Sequence, residues 1–427
     1  MRRRAVEVLV AVLLLVVLPA AWVLRGGPSA PPRSSLDEAI RLARAQRFDE
    51  AETLAARFLA AVPTDSRARL LVAQLQLSRS EPKATEALTT LEVADPDDRP
   101  LAALFHLERG KAHYYLGDYV AAERAWREAL KLDPTVPEAG WALLDLYYVE
   151  GRSDEAAALA MKLRTTEPDK RDRILLLLEL VRAEARPLAA PLVITRLERA
   201  LSRNPEDLEA LLGLGRAEIR DSKLDEAIAR FETAVARAPE RADVWDALLT
   251  GLDDAGKTDR FAAALERVPS SIRDDPRLVR HIARRAHNDQ DWPNAAKLYR
   301  AAIEYRSDQP TVAYRLSRVL RALGDEPAAA AIEKRFRGFE SAAKEVVELY
   351  EEADAIKTHG VEPQPALYRR LADLCERLGR NDQALGWYEH ILESAPDDSE
   401  ARAALDRLRS RRAEASTAAE RGVGGER

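Results

Sequence analysis

Cysteine is almost absent from this chain of 427 residues, in which Cys375 is the one thiol. A single cysteine cannot form an intramolecular disulfide or a zinc site made of several thiolates. Aromatic residues make up only 6% of the chain, and the formal net charge is −6. A small negative charge gives no electrostatic basis for bulk binding of nucleic acid. The composition therefore excludes a disulfide-stabilised scaffold and argues against a nucleic-acid-binding protein.

Catalytic motifs are also scarce. The sequence has no G-x-S-x-G nucleophile elbow and no H-E-x-x-H zinc motif. Gly213-Leu214-Gly215 lacks the third glycine of a dinucleotide fingerprint and follows no strand pattern, so we expect Gly215 to mark a contact between helices. We therefore predict a protein that is not an enzyme and that needs no cofactor and no metal.

The one long hydrophobic run lies at the N-terminus. Ala5–Leu24 contains twenty residues with a single charge, which is about the length that crosses the hydrocarbon core of a bilayer. Three arginines precede this run, and Trp22 and Arg25 suit the far interface. We predict a short cytoplasmic tail over residues 1–4, a transmembrane signal anchor over 5–25 and a linker over 26–34.

A cleaved signal peptide is the alternative to this anchor. The candidate cleavage positions lack the usual small residues, and no cysteine follows the apolar run, which excludes a lipoprotein. The orientation is also open, because arginines occur on both sides of the run. Arginine far outnumbers lysine, which we associate with a GC-rich bacterium. We expect a single-pass protein of the bacterial inner membrane whose main part faces the periplasm.

Helical periodicity begins near Ser35 and continues to about Arg411, and its clearest unit is Phe105–Pro134. This unit contains two helical patterns joined by a short turn at Gly117. Small residues recur where the helices must approach, namely Gly110, Ala122 and Ala129, and Trp126 supplies bulk between the two alanines. Pro134 follows the second helix, where it cannot continue it.

This pattern resembles the tetratricopeptide repeat, a helix–turn–helix unit of about 34 residues. The resemblance implies an all-α solenoid, a right-handed superhelix of stacked helix pairs, over residues 35–411. A capping helix over Asp398–Arg411 would end the stack, and a disordered tail would occupy residues 412–427. Two stretches depart from the repeat: Trp245–Pro269 is short, and Ser341–Lys357 predicts an extra helix.

Three residues with reactive side chains fall at positions where the repeat places packing residues. His106 and His113 share a helix face, which would suit a pair of metal ligands, but no third ligand is near in the sequence. We predict that both histidines pack structurally. Cys375 aligns with His113 in its own unit, so we predict a buried thiol that acts as a small hydrophobic residue.

A basic surface is predicted from two successive first helices, which in this family line the concave groove. Its members recur with an offset of 34 residues or flank those that do: Arg280, Arg284, His287, Tyr314, Arg315, Arg318 and Arg321. Arg280 and Arg284 have no acidic residue four positions away, so we expect them to be unneutralised. The forked guanidinium group suits a carboxylate or phosphate. An ordinary solvated arginine face is the alternative.

An aromatic patch is the second predicted binding surface. Tyr114 and Tyr148 are also offset by 34 residues, and Trp141 precedes Tyr148 on the same helix face. Exposed Tyr and Trp are common binding anchors, although packing between repeats would use the same residues.

These observations predict a membrane-anchored scaffold that holds a protein or peptide partner, which we expect to be acidic, in envelope assembly, secretion or maturation. The alternative is a regulatory or sensor subunit that binds a small anionic or glycan ligand in the concave groove. The sequence identifies neither the partner nor the oligomeric state.

Overall fold

The computed structural model describes residues 33–93, 95–166, 190–305, 309–353 and 365–423. Within these ranges the chain forms twenty α-helices, one short 3-10 helix and no strand. The all-helical fold predicted from the sequence is confirmed. The helices are α1 Arg33–Arg44, α2 Phe48–Ala61, α3 Ser66–Leu77, α4 Ala84–Leu91, α5 Arg99–Leu116, α6 Tyr119–Leu132, α7 Pro137–Glu150, α8 Ser153–Thr166, α9 Ala190–Arg203, α10 Leu208–Arg220, α11 Leu224–Arg237, α12 Ala242–Asp254, α13 Thr258–Glu266, α14 Val279–Asn288, α15 Trp292–Tyr305, α16 Pro310–Ala322, α17 Glu326–Ala353, α18 Pro365–Arg377, α19 Asn381–Ser394 and α20 Ser399–Val423.

The chain divides into two compact units. The first comprises Met1–Leu146 and Glu198–Asp207, and the second comprises Tyr147–Leu197 and Leu208–Arg427. In each unit successive helices pack as antiparallel pairs, and each pair packs on the next. Because every pair contacts mainly its neighbours, stability is close to a sum of local terms.

The pair α5 and α6 in the first unit shows why the sequence folds in this way. A Cβ atom at Gly110 would lie 2.3 Å from Nε1 of Trp126, so the absence of a side chain makes room for the indole ring. That ring donates a hydrogen bond from Nε1 to the Leu107 carbonyl at 3.1 Å. Ala122 is fully buried, as predicted for a point of close helix approach. Gly117 ends α5 with φ 81°, a left-handed conformation that favours glycine.

The same device recurs in the second unit. A Cβ atom at Gly215 would lie 2.4 Å from the Phe231 ring, and Phe231 is fully buried between α10, α11 and α12. Gly215 therefore marks a contact between helices, as the sequence predicted. The helix pair α12 and α13 is short, because α13 spans only nine residues.

Two helices are longer than the sequence suggested. The expected boundary between a unit ending near Phe336 and a separate helix from Ser341 is absent, because α17 continues through both. No proline interrupts this stretch, and Ala and Glu favour a helix. Similarly, α20 continues beyond Arg411 to Val423, where a disordered tail was expected. Its Ala, Glu and Arg residues have high helix propensity.

Some predictions concern residues outside the described ranges. The predicted anchor over 5–25 and most of the linker over 26–34 belong to this group, as does the break expected after Lys357. Among the helices that the structure does describe, none combines the length and the apolar character needed to cross a bilayer.

Candidate functional site

The predicted basic surface lies in the second unit, on the first helices α12, α14 and α16 of three successive pairs. Its arginines on α14 and α16 are predicted to be unneutralised, and for most of them this prediction is wrong. Carboxylates of α12 and α17 hold four of the five arginines in ion pairs, namely Arg280, Arg284, Arg315 and Arg321. We call the contacts between α12, α14 and α16 the arginine ladder; its members are Asp246, Asp253, Arg280, Arg284 and Arg315.

Asp246 forms the first rung of the arginine ladder. Its Oδ1 accepts hydrogen bonds from Nε and Nη2 of Arg280 at 3.0 and 2.8 Å, and it lies 2.8 Å from Nε2 of His281. Desolvation raises the pKa of Asp246, but the hydrogen bond with His281 and the charges of His281 and Arg280 outweigh it, and the pKa falls to about 2. Burial lowers the pKa of His281, which favours the neutral imidazole as donor. This rung is an enclosed structural ion pair.

Asp253 forms the second rung and connects three helices. Its Oδ1 accepts from Nε of Arg284 at 3.0 Å, and its Oδ2 lies 2.5 Å from Nη1 of Arg315. The Asp253 side chain is only 13% exposed, and those of the two arginines are 26% and 19% exposed. One carboxylate thus ties α12 to α14 and α16, which fixes the positions of both helices.

His287 lies beside the second rung. Its ring makes edge contacts with the rings of Trp292 and Tyr299, at centroid distances of 5.5 and 6.1 Å. Burial lowers its pKa, and the charges of Arg284 and Arg318 lower it further. Burial also raises the pKa of Tyr299 to about 12. The histidine is therefore neutral at pH 7 and packs as an aromatic residue.

Arg318 and Tyr314 are the members of the predicted surface that remain open. Arg318 is exposed, and within the described ranges no carboxylate lies within ion-pair distance of its guanidinium group. Tyr314 is 56% exposed and lies four residues earlier on α16, on the same face of that helix. Arg321, one turn further on, pairs instead with Glu326 and Glu333 of α17 at 3.2 and 2.7 Å.

The sequence contains a signal for the carboxylates that the prediction missed. Asp246 precedes Arg280 by 34 residues, and Asp253 precedes His287 by the same offset. The offset that aligned α14 with α16 thus also aligns α14 with α12. The prediction searched for acidic partners only within one helix, whereas stacked repeats bring them from the preceding helix.

The predicted aromatic patch contains one residue that packs within its own repeat. The Tyr114 ring stacks on Tyr119 with a centroid distance of 5.0 Å, and its hydroxyl donates to Oδ2 of Asp145 at 2.8 Å. This geometry favours the packing alternative for Tyr114. Trp141 is half-buried in the same unit, and Tyr148 is half-buried in the second unit.

The sequence also matches the G-x-x-x-x-G-K-[ST] pattern of a phosphate-binding loop at Gly251–Thr258, which reads GLDDAGKT. Such a loop follows a strand, whereas these residues form the end of α12, a turn and the start of α13. Nζ of Lys257 lies 2.5 Å from Oδ1 of Asp225. Gly251 is buried in the helix with Ile228 and Phe231 around it. The match therefore marks a helix–helix connection.

The remaining predicted packing residues are placed as follows. Nε2 of His106 lies 3.0 Å from Asp95, and Nδ1 of His113 lies 3.5 Å from Asp118. Burial lowers the pKa of His113. Cys375 is fully buried, as predicted, and its thiol donates weakly to Oε1 of Gln383 at 3.6 Å.

Comparison with known families agrees with the observed helix pairs. Profiles described as tetratricopeptide repeat match residues 36–102, 107–168, 183–252, 282–345 and 337–399. The matched segments include more than half of the chain.

Relatives and solved structures share the repeat at low identity. Cellulose synthase operon protein C of Pseudomonas fluorescens (strain SBW25) is 28% identical over 172 residues, which are 35% of this chain and 13% of that protein. The chain thus matches only a small part of that protein's length. Two solved structures are the APC/C hetero-tetramer Cut9-Hcn1 (14% identity, TM-score 0.34, 88% of this chain and 84% of that chain) and a Rap protein complexed with competence and sporulation factor (17%, 0.34, 73% and 98%).

Proposed function

This chain belongs to the tetratricopeptide repeat family, and we propose that it is a scaffold that holds a protein or peptide partner at the outer face of α16. Proteins of this family generally bind other proteins or peptides. The observation that carries the proposal is the pair Tyr314 and Arg318. Both are exposed on one face of α16, and Arg318 has no carboxylate partner in the described part of the chain.

The arginine ladder supports this proposal by holding α16 in place. The contact between Arg315 and Asp253 anchors the helix from its inner side, so Tyr314 and Arg318 are presented on a rigid support. A rigid aromatic residue beside an unpaired guanidinium group is a typical anchor for a partner. An acidic segment of the partner would neutralise Arg318, so we propose a partner with a carboxylate next to an apolar residue.

We also propose that the protein is anchored in a bacterial inner membrane through residues 5–25 and that its repeats face the periplasm. The support is the apolar run Ala5–Leu24 with its basic start. The relative from Pseudomonas fluorescens is named for a cellulose synthase operon, but the match covers 13% of that protein. We therefore carry over the repeat and leave that process to that protein.

The test is a crosslinking pull-down from membranes with the full-length chain. We expect the double variant Tyr314→Ala, Arg318→Glu to lose at least about tenfold of the captured partner, because a reversed charge repels an acidic segment. Capture by the wild type should also weaken as salt is raised. Arg300→Glu is the matched control, since Arg300 is exposed on the second helix α15. Equal capture by the double variant and the wild type would refute the proposal.

A further inference from the structure

A cavity of about 400 Å³ lies at the C-terminal end of the second unit. Its lining comes from α17, α18, α19 and α20 and contains three arginines, Arg335, Arg377 and Arg411. We call this cavity the arginine pocket. It is separate from the arginine ladder and from the outer face of α16, since none of its lining residues belongs to either.

Two of these arginines have no direct counter-charge. Arg335 and Arg377 are exposed, and among the described residues neither lies within ion-pair distance of a carboxylate. Arg377 does act on Glu345 over a longer distance, but the direct partner of Glu345 is Arg370. Because like charges repel, two unpaired guanidinium groups in one cavity favour the arrival of an anion.

The carboxylate that lines the pocket is already engaged. Nη2 of Arg407 donates to both oxygens of Glu376, at 2.8 and 3.0 Å. Nη1 of Arg411 lies 3.5 Å from the same carboxylate. Glu376 therefore cannot also neutralise Arg335 and Arg377, and the pocket retains an excess of positive charge.

Two further features show what kind of anion would fit. Asn381 begins α19 at the pocket, and no side chain caps this helix start. The free N–H groups of a first helical turn favour anions, most strongly phosphates. Phe339 provides an apolar wall. The volume lies within the range of small-molecule sites, about 300 to 1,000 Å³.

From these observations we propose that the arginine pocket binds a small organic phosphate. The forked side chains of Arg335 and Arg377 hold its phosphoryl oxygens, and Phe339 contacts its organic part. A phosphate monoester carries about −1.5 to −2 charges at pH 7, so it matches two unpaired arginines better than a single carboxylate does. This ligand site is independent of the partner surface on α16.

Calorimetry on the full-length protein with phenyl phosphate, inorganic phosphate and benzoate at constant ionic strength tests the proposal. We expect phenyl phosphate to bind most tightly, inorganic phosphate more weakly because it has no ring for Phe339, and benzoate most weakly because it has one charge. Arg335→Ala and Arg377→Ala should each weaken phenyl phosphate binding about tenfold or more, the loss typical of a charge-assisted hydrogen bond.

Arg337→Ala is the control, because Arg337 is exposed on the same helix but does not line the pocket. This variant should keep wild-type affinity for phenyl phosphate. Phe339→Ala should make the affinities for phenyl phosphate and inorganic phosphate equal. The proposal fails if the wild type binds none of the three probes, if benzoate binds as tightly as phenyl phosphate, or if Arg337→Ala weakens binding as much as Arg335→Ala.

Discussion

The second unit contains two clusters of arginines that use the same residue type in opposite ways. In the arginine ladder, Asp246 and Asp253 hold the guanidinium groups of neighbouring helices at ion-pair distance. In the arginine pocket, Arg335 and Arg377 have no such partner in the described ranges. The first cluster therefore fastens helices to one another, and the second has charge available for a ligand.

The difference teaches that a basic helix face has no fixed meaning until the preceding repeat is known. A solvated arginine and a ladder arginine can share the same spacing on a helix. The ladder arginines face acidic residues 31 or 34 residues earlier, as in the pairs of Asp253 with Arg284 and of Asp246 with Arg280. An offset of 31 is one helical turn short of the repeat length, so both offsets place the partners side by side on stacked helices.

The largest expected effect is at Asp253, where the comparison can be broken directly. Asp253→Asn leaves Arg284 and Arg315 largely buried without their shared carboxylate. Removal of one partner from a buried ion pair costs about 3 to 5 kcal/mol, and we expect about 3 kcal/mol because these arginines retain some exposure. Urea denaturation measures the loss, and hydrogen exchange should locate it in α14 and α16.

The control for this variant is Asp259→Asn, since Asp259 is exposed on α13. This change should alter the free energy of unfolding by no more than about 0.5 kcal/mol. If Asp253→Asn were as stable as the control, the ladder would behave as a screened surface ion pair, and α16 would need another explanation for its position.

A pH titration sharpens the comparison with a somewhat smaller effect. The pKa of Asp246 is about 2 in the folded protein against a model value of 3.8. Because the folded pKa is lowered, ionised Asp246 stabilises the protein above about pH 4, and this contribution of about 2 kcal/mol is lost as the pH falls towards 2. Asp246→Asn should therefore be less stable than the wild type at pH 7.

The two proteins should become similarly stable as the pH approaches 2, which thermal melting followed by circular dichroism can measure. A gap that stays constant from pH 7 to 2 would mean that the charge of Asp246 is not the source of stability. The neighbouring His281 adds a separate loss below about pH 6.5 in the wild type, because burial lowers its pKa and protonation opposes folding.

The sequence was sufficient for the repeat because close packing requires particular residue types. Gly110 must lack a side chain where Trp126 enters, and Ala122 must be small where two helices meet. These requirements leave a pattern in one sequence. The length of α17 left no comparable pattern, since no glycine or proline position decided whether the helix would continue past Phe336.

The candidate sites were predictable only in part, for a related reason. Charge pairing depends on which helices lie next to each other, and Arg318 could be separated from Arg315 only after Asp253 was located. The arginine pocket also contains a repeat offset, because Arg377 and Arg411 are 34 residues apart. Arg335, however, comes from the part of α17 that follows no repeat, so its place in the pocket depends on the fold.

The smallest expected effect concerns the stability of the arginine pocket. The double variant Arg335→Ala, Arg377→Ala removes two exposed charges that have no ion-pair partner in the described residues. Without ligand, the free energy of unfolding should stay constant or rise by a few tenths of a kcal/mol, because like-charge repulsion is relieved. Urea denaturation of both proteins in a phosphate-free buffer measures this difference. A loss of more than about 1 kcal/mol would mean that these arginines support the fold as the ladder arginines do, and the contrast between the two clusters would disappear.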